Sequence, residues 1–421
     1  MTEPVHQYEV RAIRAGEEEL FLKHMCTCFN LELDSARPIF FADPYFDITH
    51  KRILIDNSSG SIISGLTIIP TAVRVTGGAL IPVAGIAGVC TTPEHRGQGY
   101  AQMLIRSTQQ AAASEFGYVA AALSTDRPEI YRKLGFEHCS SVTHWTAHRN
   151  LLPPFPEASS AANSLLHDSH RLIAEIKALY EYARASQPGI FLRDDHRWQI
   201  IESRKPDDHV ITWRDGIRLE GCVIYRTREH RGDRVMDILD LIASTAAARR
   251  GLMGYIQRLE DIDLVTGQMR SSDVRKLGIQ DIPRFTSYRR EGVMMSILDF
   301  DACLSLVAQT GIMTPVVRRS ESGLTIRLEN ALSTKDRKPL RLFSVSTDRL
   351  GVAIGMAPAD EMTGDWISVD VGAMAQLYFG YTRASKLRSQ DRLWISSENA
   401  LAIAEALFPP YDTFMSQLDA F

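Results

Sequence analysis

The stretch that most constrains this chain is residues 86–105. It begins as an apolar run, Ile86–Thr91, turns at Pro93 and passes through Arg96, Gly97, Gln98 and Gly99. From there no Pro or Gly interrupts the chain until about Phe116, and Tyr100, Met103, Leu104 and Ala111 fall near helical spacing. The pattern predicts strand, turn and helix. A glycine-rich turn that opens a helix leaves backbone N–H groups free and converging, and the helix dipole adds positive potential at the same point. That combination holds a pyrophosphate, and glycine keeps side chains out of the way. A Walker A loop needs Gly-Lys-Ser/Thr at wider spacing, and the dinucleotide fingerprint needs a third glycine. Neither fits here. The alternative is a tight strand–helix turn that binds nothing.

The string Arg96-x-x-Gly99-x-Ala101 resembles the acetyl-CoA signature of the GNAT acyltransferases. Its setting agrees with that. Alternation over 8–14 predicts a strand, and acids followed by an apolar stripe over 16–30 predict a helix. Strands are expected over 52–56, 62–75 and 79–91, divided by turns at 57–60 and 77–78. After the signature helix come a strand at 118–124, a short helix at 128–134 and a closing strand near 138–148. In the short helix Asp126 is expected as the cap, Pro128 in the first turn, Glu129 closing a capping box and Gly135 as the left-handed stop. Tyr131-x-x-Leu134-Gly135-Phe136 resembles the GNAT segment whose tyrosine faces the thioester sulfur. The other reading of Tyr131 is a half-buried packing residue.

A chain of 421 residues exceeds one core, so two or three domains are expected. The net charge of −4 gives no general attraction to nucleic acid. Arg74 interrupts the longest apolar run, so no membrane span is expected, and Met1–His6 carries no secretion-signal pattern. Of the 6 cysteines only Cys26 and Cys28 lie close together, and the 12 histidines show no zinc spacing. The expectation is a reduced, metal-free cytoplasmic protein with Cys90 a buried structural thiol.

Pro153–Ser164 has the composition of a linker. Beyond it, helices at 168–186 and 194–203, strands at 209–213, 217–226 and 234–243, a helix at 246–259 and strands near 262–266 and 285–288 repeat the first order. The turn after the third of these strands, Ser244–Gly251, lacks the Arg-x-x-Gly-x-Ala string. It reads as a degenerate copy without a cofactor site, or as an unrelated α/β domain. From about 291 a third unit begins with a strand at 293–298 and a helix at 301–309. Strands at 324–328, 340–345 and 350–354 follow, then a strand and apolar helix over 366–379 and a last helix at 398–407. The tail after Phe408 is unusually apolar for a terminus and ends on Phe421, which suggests that it is docked.

Together these features resemble the Eis (enhanced intracellular survival) family of GNAT N-acetyltransferases over the whole chain. The resemblance implies an α/β (α+β) fold with two tandem GNAT-type domains and a sterol-carrier-protein-like α/β domain. They would span 1–150 (catalytic), 151–290 (no cofactor site) and 291–421. It implies acetyl-CoA as cosubstrate without a metal, a homohexamer, Tyr131 as general acid and the C-terminal carboxylate of Phe421 as general base. Cofactor contacts would fall on Val89, Cys90 and Thr91, on Arg96, Gly97, Gln98, Gly99, Tyr100 and Ala101, and on Thr125, Asp126 and Arg127. The acceptor would be a primary amine of a small polycation such as an aminoglycoside. Ala420 stands where several such relatives carry an acid, leaving Asp419, Asp34 and Asp43 as candidate acids and Trp145 and Phe46 as candidate pocket walls. A protein lysine or a polyamine is the alternative acceptor. A non-catalytic acetyl-CoA sensor or a lipid carrier is the alternative role.

Overall fold

The computed structural model describes residues 7–166, 170–203, 208–309, 324–329, 341–347, 352–356 and 364–421. Its first sheet starts with β1 (Tyr8–Ala12), the helices α1 (Glu18–Phe29) and α2 (Leu33–Phe41), then β2 (Lys51–Asp56), β3 (Ser61–Arg74) and β4 (Leu80–Thr91). These four strands pair antiparallel in sequence order. Helix α3 (Tyr100–Ser114) then crosses over to β5 (Ala120–Leu123), which lies parallel to β4, as a crossover connection requires. Leu104, Ile105 and Ala112 of α3 pack on Leu66, Ile68, Ala84 and Ile86 of the sheet. A short α4 (Pro128–Arg132) and β6 (Glu137–His138) follow.

Here the chain departs from the expected plan. The strand anticipated over 138–148 is two strands in two sheets. β6 stays with the first, while β7 (Ser141–His148) enters the second. That sheet is completed by β8 (Ala161–Leu165), α5 (His170–Ala183), α6 (Asp195–Glu202), β9 (His209–Asp215), β10 (Arg218–His230), β11 (Asp233–Ala243), α7 (Ala246–Gln257), β12 (Leu264–Met269), α8 (Ser271–Leu277) and β13 (Thr286–Glu291). Its order is β13-β7-β12-β11-β10-β9-β8. The chain then crosses back: β14 (Met294–Ile297), expected to open the third unit, inserts between β5 and β6. The crossing is tight, since Gly292 N and Val293 N donate to Ser140 O and Oγ at 2.9 and 2.7 Å. A Cβ on Gly292 would lie 2.4 Å from that Oγ. The end of the expected linker is likewise a strand, since β8 pairs with β9 at the sheet edge.

The third unit comprises α9 (Phe300–Gln309), β15 (Leu324–Glu329), β16 (Arg341–Thr347), β17 (Val352–Met356), β18 (Asp365–Asp370), α10 (Val371–Tyr378), α11 (Ala384–Ser389), β19 (Leu393–Ile395) and α12 (Glu398–Leu407). Its sheet runs β17-β16-β15-β18-β19. Ile326, Ile367 and Phe379 share one buried cluster with Val83, Ala122 and Met295, so the third core is continuous with one face of the first sheet.

Candidate active site

The site is made by a fork. β4 pairs with β5 only from Val83↔Ala120 to Gly85↔Ala122, yet β4 runs on to Thr91. Past Gly85 the two strands separate, leaving one edge of β4 without a strand partner among the described residues. Backbone polar groups on such an edge require another partner. On its other side β4 stays paired with β3, with a shift in register between Gly65 and Thr67 and Gly88 at φ +61°. That irregularity bends the strand at Gly88–Val89, as bulges do near functional sites.

The mouth of the fork is closed by the start of α3. Gly97 and Gly99 both hold left-handed backbone, at φ +78° and +85°. Gly99 is the N-cap residue and no side chain caps the helix. An added Cβ at either glycine would meet nothing within 4 Å, so the turn faces open space. Free N–H groups of a first helical turn aimed into open space fit a pyrophosphate. Arg96 Nε donates to Thr91 O at 3.1 Å, tying the turn to the end of β4. Tyr100 is held by its hydroxyl on Tyr8, at 2.8 Å.

Between these walls lies a cavity of about 630 Å³. It is lined by Val89, Cys90, Thr91, Arg96, Gly97, Gly99, Tyr100, Ala101, Thr125, Arg127 and Tyr131, all expected from sequence. Cys28, Phe29, His95, Gln102, Ile105 and Ile130 line it too and were not anticipated. Phe29 and Cys28 come from α1, whose approach to β4 no local pattern announces. Gln98 and Asp126 do not line it; Gln98 turns back to donate to Glu94 O at 3.3 Å. Asp126 is not the cap of α4 either. Arg127 occupies that position with no side-chain bond, and Thr125 Oγ1 accepts from Arg127 N at 3.0 Å. The cap falls one residue later than expected because α4 starts at Pro128.

Tyr131 sits edge-on to Phe136, with ring centroids 6.2 Å apart. Burial pushes its phenol pKa up, opposed by a hydrogen bond with Thr125. It is therefore a loaded proton donor at neutral pH. Burial also raises the Cys90 thiol, which makes it a poor nucleophile.

Phe421 does not line the cavity, but it sits at the apex of the fork. A Cβ on Gly85, the last residue paired with β5, would lie 2.8 Å from Cζ of its ring. The tail that brings it there is held by buried charge. Arg193 Nε donates to Asp419 at 2.6 Å and its Nη2 to Asp240 at 2.6 Å. The same guanidinium stacks over Tyr180 and Trp198. Arg197 donates to Ala420 O at 3.2 Å, and Leu418 is buried in the cluster that α5 and α6 make against the second sheet. Asp419 is thus neither a surface carboxylate nor part of an acidic substrate pocket; it is the anchor of the tail. Asp34 pairs with Arg37 on the exposed face of α2. Asp43 Oδ1 accepts from Tyr45 N. Trp145, 1% exposed, lies in the second core against Gly267, which removes it from any pocket wall. Phe46 packs on Phe40 and Phe41, with Lys51 Nζ over the Phe40 and Phe46 rings.

The second sheet has its own fork. β11 pairs with β12 only to Ile238↔Gly267. Beyond it Arg184 donates to Leu241 O and Ser416 Oγ to Leu239 O, while Asp240 binds Arg193. The following helix, α7, is capped by Thr245 Oγ1, which accepts from Ala248 N at 3.1 Å.

Residues 9–139 match the acetyltransferase (GNAT) domain family, residues 189–291 a second acetyltransferase (GNAT) domain family and residues 343–416 a sterol carrier protein domain. The first match stops where the chain leaves the first sheet, and the second where it returns. An uncharacterized N-acetyltransferase of Streptomyces avermitilis is 27% identical over 419 residues, 95% of each chain. The N-acetyltransferase Eis of Mycobacterium tuberculosis is 24% identical over 363 residues, 83% of this chain and 84% of that one. Among solved structures, a GCN5-related N-acetyltransferase from Anabaena variabilis superposes with TM-score 0.78 at 19% identity, covering 98% of this chain and all of the other. Eis1 from Mycobacterium abscessus gives 0.74 at 20% identity, with the same coverage.

Proposed function

Because this chain belongs to the Eis-like GNAT N-acetyltransferases, enzymes of the N-acyltransferase class, we propose that its forked cavity transfers acetyl from acetyl-CoA to a primary amine. The observation that carries this reading is the fork itself. A bare β4 edge, an uncapped glycine turn and a protonated Tyr131 converge on one cavity, and the Phe421 ring packs at Gly85, where the two strands part.

In this reading the β4 edge at Val89–Thr91 pairs with the amides of the pantetheine arm, as an added strand would. The N–H groups at the start of α3 hold the pyrophosphate. The amine nitrogen attacks the thioester carbonyl and the C–S bond breaks. One proton passes from the amine to the Phe421 carboxylate, directly or through a water, and one from the Tyr131 phenol to the CoA thiolate. No nucleophilic Ser or Cys is needed. Juxtaposing the two reactants supplies much of the acceleration.

The acceptor proposed is a small polycation of the aminoglycoside type, drawn from the family resemblance; Asp419 does not provide its acidic wall. Assembly as a homohexamer is proposed on the same ground, and solution mass measurement tests it. The central experiment follows CoA-thiol release with aminoglycosides, polyamines and a lysine-rich peptide, for the wild type and a chain lacking Phe421. Deleting Phe421, or Tyr131→Phe, is expected to lower kcat by about 100-fold or more while acetyl-CoA binding persists. Wild-type rates in both variants would remove these roles. Since burial raises the Tyr131 pKa, its proton is held through the neutral and mildly alkaline range, and kcat should show no alkaline fall from this group there.

A further inference from the structure

We infer that His24, Cys28 and Cys90 form a binding site for one thiophilic d10 cation of the zinc class, set in the wall of the cavity between α1 and β4. Their donor atoms all lie within 4.8 Å of one another. His24 Nε2 is 3.4 Å from Cys90 Sγ and 3.7 Å from Cys28 Sγ. A tetrahedral zinc with ordinary Zn–N and Zn–S bonds sets its nitrogen and sulfur ligands about 3.6 Å apart, so both N···S pairs stand at coordination spacing without the ion. Met25 Sδ, 3.4 Å from Cys90 Sγ, offers a fourth soft donor.

The surroundings suit such a site. His24 and Cys90 are buried and Cys28 is half-buried. A hydrogen bond with the Ile62 backbone holds the ring, the kind of outer contact that orients a ligating histidine. Two glycines let the helix approach the sheet. A Cβ on Gly65 would lie 3.1 Å from the His24 ring, and one on Gly88 2.7 Å from Met25 Cε. Two thiols, an imidazole and a thioether select zinc or monovalent copper over magnesium or calcium. Binding displaces the two thiol protons, and the ion then braces α1 against the stretch of β4 that lines the cavity.

The test uses the full-length reduced chain, stripped of metal and titrated with Zn²⁺ against a chromophoric chelator. Co²⁺ is added in parallel to read thiolate-to-metal charge transfer in the near ultraviolet. One Zn²⁺ per chain and an intense Co²⁺ band are expected for the wild type and for Cys26→Ser, whose thiol lies on α1 outside the cluster. Cys28→Ser and Cys90→Ser should each weaken Zn²⁺ by more than the roughly 10–100-fold that an outer-contact change costs, and should lose the band. Circular dichroism of each variant separates loss of the site from loss of the fold, and Cys28→Ser, at the cavity rim, is the milder change. Absence of stoichiometric Zn²⁺ binding by the folded wild type overturns the assignment. So does wild-type affinity in folded Cys28→Ser. Neither outcome depends on what the cavity acetylates.

Discussion

The two forks are the same device brought to opposite ends. In each, a parallel strand pair separates after a few rungs and a helix starts beside the opening. In the first, the helix begins at an uncapped left-handed glycine and the strand edge faces a cavity. In the second, Thr245 caps the helix, and the carbonyls of Leu239 and Leu241 accept from Ser416 and Arg184. The second fork is therefore closed by filling, with no change of topology. The filling also serves the first fork. The tail plugs the second opening with Ser416–Asp419 and delivers Phe421 to the apex of the first.

Breaking the plug should have the largest effect. Asp419→Asn leaves Arg193 buried with one carboxylate partner fewer, and removing one member of such a pair costs about 3–5 kcal/mol. Thermal melting should show that loss, and kcat should fall while acetyl-CoA affinity holds, because the damage is to the aim of the tail. An unchanged melting point would mean the two forks are independent. Gly99→Ala comes next. A Cβ at φ +85° strains the backbone by about 1–2 kcal/mol, so acetyl-CoA affinity should drop about tenfold while Phe421 stays in place. Equal affinity would deny the turn its part. Smallest is Thr245→Ala, which removes a cap worth about 1 kcal/mol. Calorimetry should still count one acetyl-CoA per chain, since the second fork is blocked by more than its cap.

What the sequence disclosed followed the range of each interaction. The turn at Arg96–Ala101 and the tyrosine segment were legible because strand, glycines and helix are contiguous. The apolar tail announced docking, but not where. Asp419 could not be assigned, since its partner Arg193 lies 226 residues away and an isolated aspartate resembles any surface acid. Sheet membership was equally hidden. The alternation of Ser141–His148 shows that one face is buried, not in which sheet. The pair Cys26 and Cys28 was visible and uninformative, because the histidine that meets Cys28 and Cys90 sits one helical turn earlier, across from a strand far along the chain.

The exchange of β7 and β14 between sheets has a consequence in time. The first sheet lacks its strand between β5 and β6 until residue 297 has left the ribosome. At 5–20 residues per second, synthesis from residue 138 to 297 takes on the order of 10–30 s. Through that interval the nascent amino-terminal half carries an open sheet edge at β5, and β7 waits for partners not yet made. A cut within 153–164 therefore leaves β7 with one fragment and its partners β12 and β13 with the other, and parts β14 from β5.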